Sequence, residues 1–201
     1  MVKIDLNKGD RFLLNKEELS KIQVAFSWAS AINLDASAFL LREDGVIGDD
    51  ADFVFYNSKS RTEPYDRQKF GSKANWRNET VPMSKDGSVI GPTDYLGGED
   101  PGETMYVDLT KVRPEVSEIV FCITIYSDWT FKDAKDPKII ITDVVKDEVL
   151  CQYHLKEHFS SETAVVAGSL VLNEEGEWEF EAIGKAYDGG LSTLVDMFFE
   201  E

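Results

Sequence analysis

The segment from residue 33 to residue 57 constrains the fold of this chain more than any other, because it has the pattern of a β-hairpin. Two apolar runs, FLL at residues 39–41 and FVFY at residues 53–56, flank the pair Asp44-Gly45. Aspartate followed by glycine is typical of a tight turn between antiparallel strands, since glycine readily adopts the positive φ that such turns need. The segment therefore predicts two paired strands of a larger sheet.

The rest of the chain predicts a mainly β protein: a two-sheet β-sandwich that forms a single domain over residues 1–201. This length is common for one all-β domain. The run at 116–126 is almost continuously apolar, as expected for a central strand. Many short strand-like runs separated by turn residues favour a sandwich, and they occur at residues 3–14, 22–28, 105–109, 116–126, 138–145, 149–155, 164–172 and 178–183.

The C-terminal residues 191–201 predict a short helix. Their apolar side chains recur at helical spacing on one face, and they are Leu191, Leu194, Val195, Phe198 and Phe199. The other face carries acids instead of lysines, so we expect the apolar stripe to pack on the sandwich rather than on a membrane surface.

The charge of the chain limits its partners. It has 21 basic and 38 acidic residues and a net charge of −17, which disfavours general binding to nucleic acids or anionic membranes. The N-terminus has no apolar leader, and no stretch approaches the about 20 apolar residues of a membrane span. Cys122 and Cys151 lie in strand-like runs and predict buried thiols rather than a disulfide framework. We therefore expect a cytoplasmic protein.

Oxygen-bearing side chains are grouped at the hairpin and at a later glycine-rich loop. The hairpin offers two pairs of such residues, Asn33 with Asp35 and Asp50 with Asp52. Residues i and i+2 of a strand share a face, so we expect the two side chains of each pair to point in one direction. Close carboxylates repel one another unless a cation neutralises them, and Ca²⁺ prefers oxygen ligands. We predict calcium between the two groups; the alternative is that each acid is merely solvated. The hairpin group is Asn33, Asp35, Asp50, Asp52 and Asn57, and the loop group is Asp94, Glu99, Asp100 and Glu103.

Residues 58–86 are polar, lack periodicity and predict a long inserted surface loop. The segment holds seven basic and four acidic residues, so its net charge of +3 contrasts with the −17 of the whole chain. Tyr65, Phe70 and Trp76 are interleaved with the basic residues. Such a pattern is compatible with binding to a single-stranded nucleic acid or a partner protein. The overall charge favours the other interpretation, an ordered surface flap whose basic side chains pair with acids of the same domain.

Residues 154–158, HLKEH, match the H-x-x-E-H pattern of a class of zinc proteases. That chemistry needs both histidines on one face of a helix. His154 instead ends a strand-like run, and strand geometry would separate it from His158 by about 13 Å. We therefore interpret the match as coincidental and expect no enzymatic activity.

Several motifs resemble the TerD-like tellurium-resistance family when they are taken together. LDASAFLL at residues 34–41, followed by DADFVFYN at 50–57, is similar to the family's hairpin signature. Leu6, Lys8 and Gly9 fit an opening LxKG pattern, and residues 161–191 resemble the C-terminal third of the family. The chain departs from the family at Asn33, where an acid is usual, and at Pro92 in the glycine-rich loop. These departures bear on the number and affinity of calcium sites.

The resemblance implies a calcium-binding β-sandwich that is linked to stress response and has no established catalytic activity. Asp35, Asp52 and Asn57 match the hairpin signature residue by residue, so the resemblance implies that they are calcium ligands. Calcium ions and other stress-response proteins are the implied partners. Two hypotheses remain: a non-catalytic calcium-binding stress protein, or a protein-interaction module with a degenerate metal site and the basic 58–86 segment as its contact surface.

Overall fold

Short β-strands form most of the fold, and they follow the strand-like runs of the sequence. The structure, a computed structural model, describes residues 4–15, 19–62, 80–94, 102–125, 128–155, 159 and 161–199. The strands of these residues are β1 (Ile4–Leu6), β2 (Arg11–Leu14), β3 (Lys21–Ser27), β4 (Asp35–Leu41), β5 (Phe53–Val54), β6 (Val89–Asp94), β7 (Gly102–Asp108), β8 (Glu118–Thr124), β9 (Lys138–Asp143), β10 (Glu148–His154), β11 (Ala164–Leu172) and β12 (Trp178–Tyr187).

In the described part of the chain these strands form two sheets of six strands each, which confirms the predicted two-sheet sandwich. The first sheet has the order β1-β10-β9-β3-β7-β6, and the second has the order β2-β12-β11-β8-β4-β5. Neighbouring strands are antiparallel except for β1, which runs parallel to β10. β8 lies between β11 and β4, which confirms the prediction of a central strand.

The main core lies between the two sheets. Phe26 of β3, Phe121 of β8 and Phe180 of β12 are fully buried there. Because successive side chains of a strand point to opposite faces, the neighbours of Phe121 point away from this core. Those neighbours, Val120 and Cys122, belong to a second apolar cluster on the outer face of the second sheet.

The C-terminal helix α1 (Gly190–Phe198) covers that outer face. Leu194 and Phe198 are buried on it, and the Phe198 ring centroid lies 4.8 Å from that of Phe39. The helix confirms the predicted apolar stripe, but it begins at Gly190 and ends at Phe198 rather than spanning 191–201. β8 is thus buried on both faces, which explains its continuous apolar sequence. No helix of the described residues is long and apolar enough to cross a membrane.

The predicted hairpin is present, because β4 pairs with β5 through Ala38 with Val54 and Phe39 with Phe53. Its second strand is only two residues long, shorter than the run at 53–56 suggests.

The two ends of the predicted 58–86 insertion are hydrogen-bonded to each other. The Thr62 amide donates to the Val81 carbonyl at 2.8 Å, and Val81 is buried. Arg61 donates to the Thr80 hydroxyl and carbonyl at 3.0 and 3.2 Å. Residues 58–62 and 80–86 are therefore joined by backbone hydrogen bonds and partly buried contacts. The intervening residues 63–79 lie outside the described ones.

Candidate functional site

Asp35 and Glu103 come together where β4 of the second sheet meets β7 of the first. Asp35 begins β4, and the amide of the next residue, Ala36, donates to Glu103 Oε2 at 2.5 Å. Asp94 of β6 is paired in register with Glu103. The strand ends therefore bring the Ala36 amide, next to Asp35 of the hairpin group, into contact with Glu103 of the loop group. Glu99 and Asp100 lie outside the described residues, as does the side chain of Asp94.

The Asp35 carboxylate is half-buried and makes no hydrogen bond or ion pair with side chains of the described residues. Burial raises the pKa of this carboxyl above its usual value, because a charged carboxylate loses hydration when it leaves water. A buried charge of this kind is normally paired or bound to a metal. Carboxylate oxygens such as those of Asp35 and Glu103 are the ligands that a hard cation such as Ca²⁺ prefers.

The second hairpin pair does not have the geometry that the sequence predicts. Residues Asp50–Asp52 form one turn of 3-10 helix, whose N-terminus is capped by the Asp49 carboxylate through a 2.9 Å bond from the Ala51 amide. Asp50 is consequently exposed while Asp52 is fully buried. The prediction that these two carboxylates share one face is wrong. Side chains two residues apart point to the same face of a strand but in different directions on a 3-10 helix.

Asp52 is paired with Arg113 inside the protein. Arg113 Nη2 lies 2.7 Å from Asp52 Oδ2, and the two side chains are 20% and 1% exposed. Burial raises the pKa of Asp52, although its hydrogen bond from Arg113 acts in the opposite direction. One oxygen of the Asp52 carboxylate is therefore paired with an arginine, and the role of Asp52 as a calcium ligand stays a prediction.

Asp86 completes this buried cluster. The hydroxyls of Ser88 and Ser84 donate to Asp86 Oδ1 at 2.6 and 2.7 Å, and the Arg113 amide donates to Oδ2 at 3.2 Å. Burial alone would raise the pKa of Asp86, but these hydrogen bonds lower it overall. The cluster joins the 3-10 turn, the 84–88 turn and the loop before β8. Sequence reasoning missed Asp86 and Arg113 as partners of Asp52, because no local pattern connects them.

Asp50 and Asn57 lie apart from both of these sites, on a surface groove with a cavity volume of about 410 Å³. Its aromatic wall includes Phe53 and Phe55, whose rings stack with centroids 4.3 Å apart. Asn33 is exposed in the loop before β4. Among the described residues, no three His, Cys, Asp or Glu side chains lie close enough to hold a metal ion. A calcium site at Asp35 and Glu103 would therefore draw its further oxygens from the adjoining 94–101 segment, backbone carbonyls or water.

A family model described as the TerD domain matches residues 2–198. The chain belongs to the TerD family. It is 30% identical to the tellurium resistance protein TerD of Serratia marcescens, over 97% of this chain and 96% of that protein. It is 32% identical to general stress protein 16U of Bacillus subtilis, over 96% of this chain and 95% of that protein.

The fold of this TerD-family chain also occurs in solved structures. The crystal structure of a TerD homologue from Streptomyces coelicolor aligns with a TM-score of 0.61 over 89% of this chain and 96% of that chain. The two sequences are 16% identical, so the match concerns the fold alone. It agrees with the two packed sheets described above.

The hairpin signature of the TerD family is distributed over three environments in this chain. Asp35 lies beside Glu103, Asp52 is buried against Arg113, and Asn57 is exposed on the aromatic groove. One acid of the signature is therefore paired with an arginine inside the protein, and another lies at a candidate cation site.

Proposed function

We propose that this TerD-family protein is a non-catalytic, calcium-binding protein of the stress response, and that calcium binds at Asp35 and Glu103. The observation that carries the proposal is the half-buried Asp35 carboxylate, which has no cationic partner among the described residues. Asp94, Glu99 and Asp100 of the adjoining segment are the further ligands we propose. When bound, calcium would supply positive charge and hold the ends of the two sheets together.

Calcium binding would stabilise the fold, and its effect can be measured as a melting temperature. A ligand present at 100 times its dissociation constant adds about 2.7 kcal/mol to the free energy of unfolding when it binds the native state alone. For a domain of this size, that energy corresponds to a rise of roughly 5–11 °C. Magnesium would substitute poorly, because it requires a smaller octahedral shell.

In the calcium-free protein, removal of the Asp35 charge should have the opposite effect on the melting temperature. Because burial raises the pKa of Asp35, its ionised form destabilises the native state at neutral pH, and this cost disappears as pH falls below the folded-state pKa. Asp35→Asn removes the same charge at every pH. We therefore expect Asp35→Asn to melt at or above the wild-type temperature in EDTA, yet to show no stabilisation by calcium.

The test compares melts in EDTA, millimolar calcium and millimolar magnesium, together with calorimetric titration of calcium into the apo protein. Asp50→Asn is the matched control, since Asp50 is an exposed carboxylate on the same hairpin. It should retain the calcium effect that Asp35→Asn loses. Identical wild-type melts in EDTA and calcium would reject the proposal and favour the protein-interaction module. Equal loss of the calcium effect in both variants would reject the assignment to Asp35.

A further inference from the structure

A small cavity lies on the outer face of the first sheet, on the other side of that sheet from the main core. Val107 of β7 points into the main core, so its neighbours Tyr106 and Asp108 point to the outer face. Tyr106 is paired in register with Ile90 of β6, and Asp108 is paired with Lys21 of β3. Side chains from three adjacent strands therefore meet on this face and line the cavity.

The walls of the cavity are mainly apolar, and its volume is about 90 Å³. Ile90 and Tyr106 form part of the wall and are 5% and 8% exposed. Val144 forms another part, and its amide donates to the Lys21 carbonyl at 3.1 Å, which places it beside β3. An apolar cavity of about 150 Å³ takes one benzene molecule, so a volume of this smaller size suits an alkyl chain of roughly three to five carbons.

Among the described residues, two lysines and one aspartate are the charged part of the lining. Lys21 Nζ and Lys111 Nζ lie 4.0 and 3.9 Å from the same atom, Asp108 Oδ2. These distances are too long for hydrogen bonds, and neither ammonium group makes a hydrogen bond within the described part of the chain. The other oxygen, Asp108 Oδ1, accepts hydrogen bonds from the Thr110 hydroxyl and amide at 2.6 and 3.2 Å. The hydrogen-bond donors of both lysines are therefore available to a ligand.

The geometry of the two lysines suits a single carboxylate. The two ammonium groups lie within about 8 Å of each other, because both are close to one oxygen of Asp108. Their side chains are 48% and 52% exposed and can adjust, so one carboxylate can accept a hydrogen bond of about 2.7–3.2 Å from each of them. The three charges sum to +1, in contrast to the −17 of the whole chain. Because Asp108 repels the incoming anion, we expect millimolar rather than tight binding.

We propose that this cavity binds a short-chain aliphatic carboxylate. The carboxylate group of the ligand bridges Lys21 and Lys111, and its alkyl chain fills the cavity beside Tyr106 and Val144. An inorganic anion lacks the chain, and a drug-sized molecule needs a pocket of about 300–1,000 Å³. The site is separate from the candidate calcium site, because Asp108 ends β7 whereas Glu103 lies near its start.

The length of the alkyl chain gives the main test. The ¹⁵N-labelled full chain is titrated with acetate, butyrate, hexanoate and octanoate at pH 7 and constant ionic strength, in EDTA so that the candidate calcium site does not contribute. The Gly87, Val107 and Lys111 amides should shift in the NMR spectrum. Burial of one methylene contributes about 0.8 kcal/mol, a factor of about four, so the dissociation constant should fall about 15-fold from acetate to butyrate. It should change little from hexanoate to octanoate, because the cavity is then full.

Lys111→Met tests the charged end of the site. A hydrogen bond to a charged group is worth about a factor of ten to a hundred, so this variant should bind butyrate at least about tenfold more weakly. Lys146→Met is the matched control, because Lys146 Nζ also lies 4.0 Å from an aspartate three residues earlier and its side chain is 45% exposed. Lys146 lies outside the lining of the cavity, so its variant should bind butyrate as the wild type does.

Val144→Ala tests the apolar end. The smaller side chain enlarges the cavity, so the chain length at which the gain in affinity stops should increase by one or two carbons. The proposal is overturned if acetate and butyrate bind equally, or if the affinity still rises steadily through octanoate. It is also overturned if Lys111→Met binds butyrate as well as Lys146→Met does, or if Val144→Ala leaves the preferred chain length unchanged.

Discussion

Replacement of Arg113 by methionine should be among the most damaging single changes outside the apolar core. Methionine keeps much of the length of the side chain but removes the positive charge that pairs with Asp52 and Asp86, whose side chains are 1% and 5% exposed. Removing one partner of a buried ion pair typically costs about 3–5 kcal/mol, because the other charge remains buried and unpaired. For a domain of this length, that cost lowers the melting temperature by roughly 6–20 °C.

The assay is thermal and urea unfolding followed by circular dichroism at pH 7 in EDTA, so that calcium does not contribute. Arg11→Met is the matched control, because Arg11 also pairs with two acids, Glu179 and Glu181, but is 50% exposed. Exposed pairs contribute about 0–1 kcal/mol, so this variant should melt within about 4 °C of the wild type. If Arg113→Met is no less stable than Arg11→Met, the buried cluster does not stabilise the fold and the reasoning fails.

Two further predictions concern the insertion and the cysteines. Residues 63–79 can be deleted by joining Thr62 to Thr80 through an Asn-Gly turn. The variant should melt cooperatively within a few degrees of the wild type, because Thr62 and Val81 are already hydrogen-bonded. An insoluble product would show that the segment is structural. Cys122 and Cys151 are free and buried, and burial raises the pKa of both thiols, that of Cys151 to about 12. Neither should react with a thiol reagent at pH 8 until the protein unfolds, and rapid labelling of the native protein would contradict this.

Much of the fold could be predicted because strands have local sequence patterns, namely apolar runs or alternating apolar residues bounded by turn residues. The hairpin of β11 and β12 is an example: alternating apolar residues flank a turn at Asn173, and the observed strands lie within a few residues of those patterns. The same local reasoning places β1 and β2 on either side of a turn. It does not reveal that the two strands join different sheets, because partner choice depends on residues more than a hundred positions away.

The candidate site was predicted less completely, for two physical reasons. A single turn of 3-10 helix replaces strand geometry at Asp50 and Asp52. The rule that alternate residues of a strand share a face does not predict such a turn. The charge opposite Asp52 comes from Arg113, 61 residues away, in a loop without periodicity. By contrast, Asp35 and Glu103 were placed in one site because each stands at the end of a recognisable strand. The contact between Ala36, next to Asp35, and Glu103, 67 residues away, is observed, whereas calcium binding there stays a prediction.

The positions of β1 and β2 have a consequence for how the protein is made. β1 cannot pair until β10 has been synthesised, and β2 cannot pair until β12 has been synthesised. In the second pair, Leu14 lies opposite Trp178. Neither sheet can be completed until the C-terminal part of the chain has left the ribosome, which at about 5–20 residues per second takes roughly 10–40 s. Contacts this distant in sequence also close slowly. During that interval the first two strands are synthesised but unpaired, so the nascent chain should depend on chaperones more than a protein built from local hairpins would.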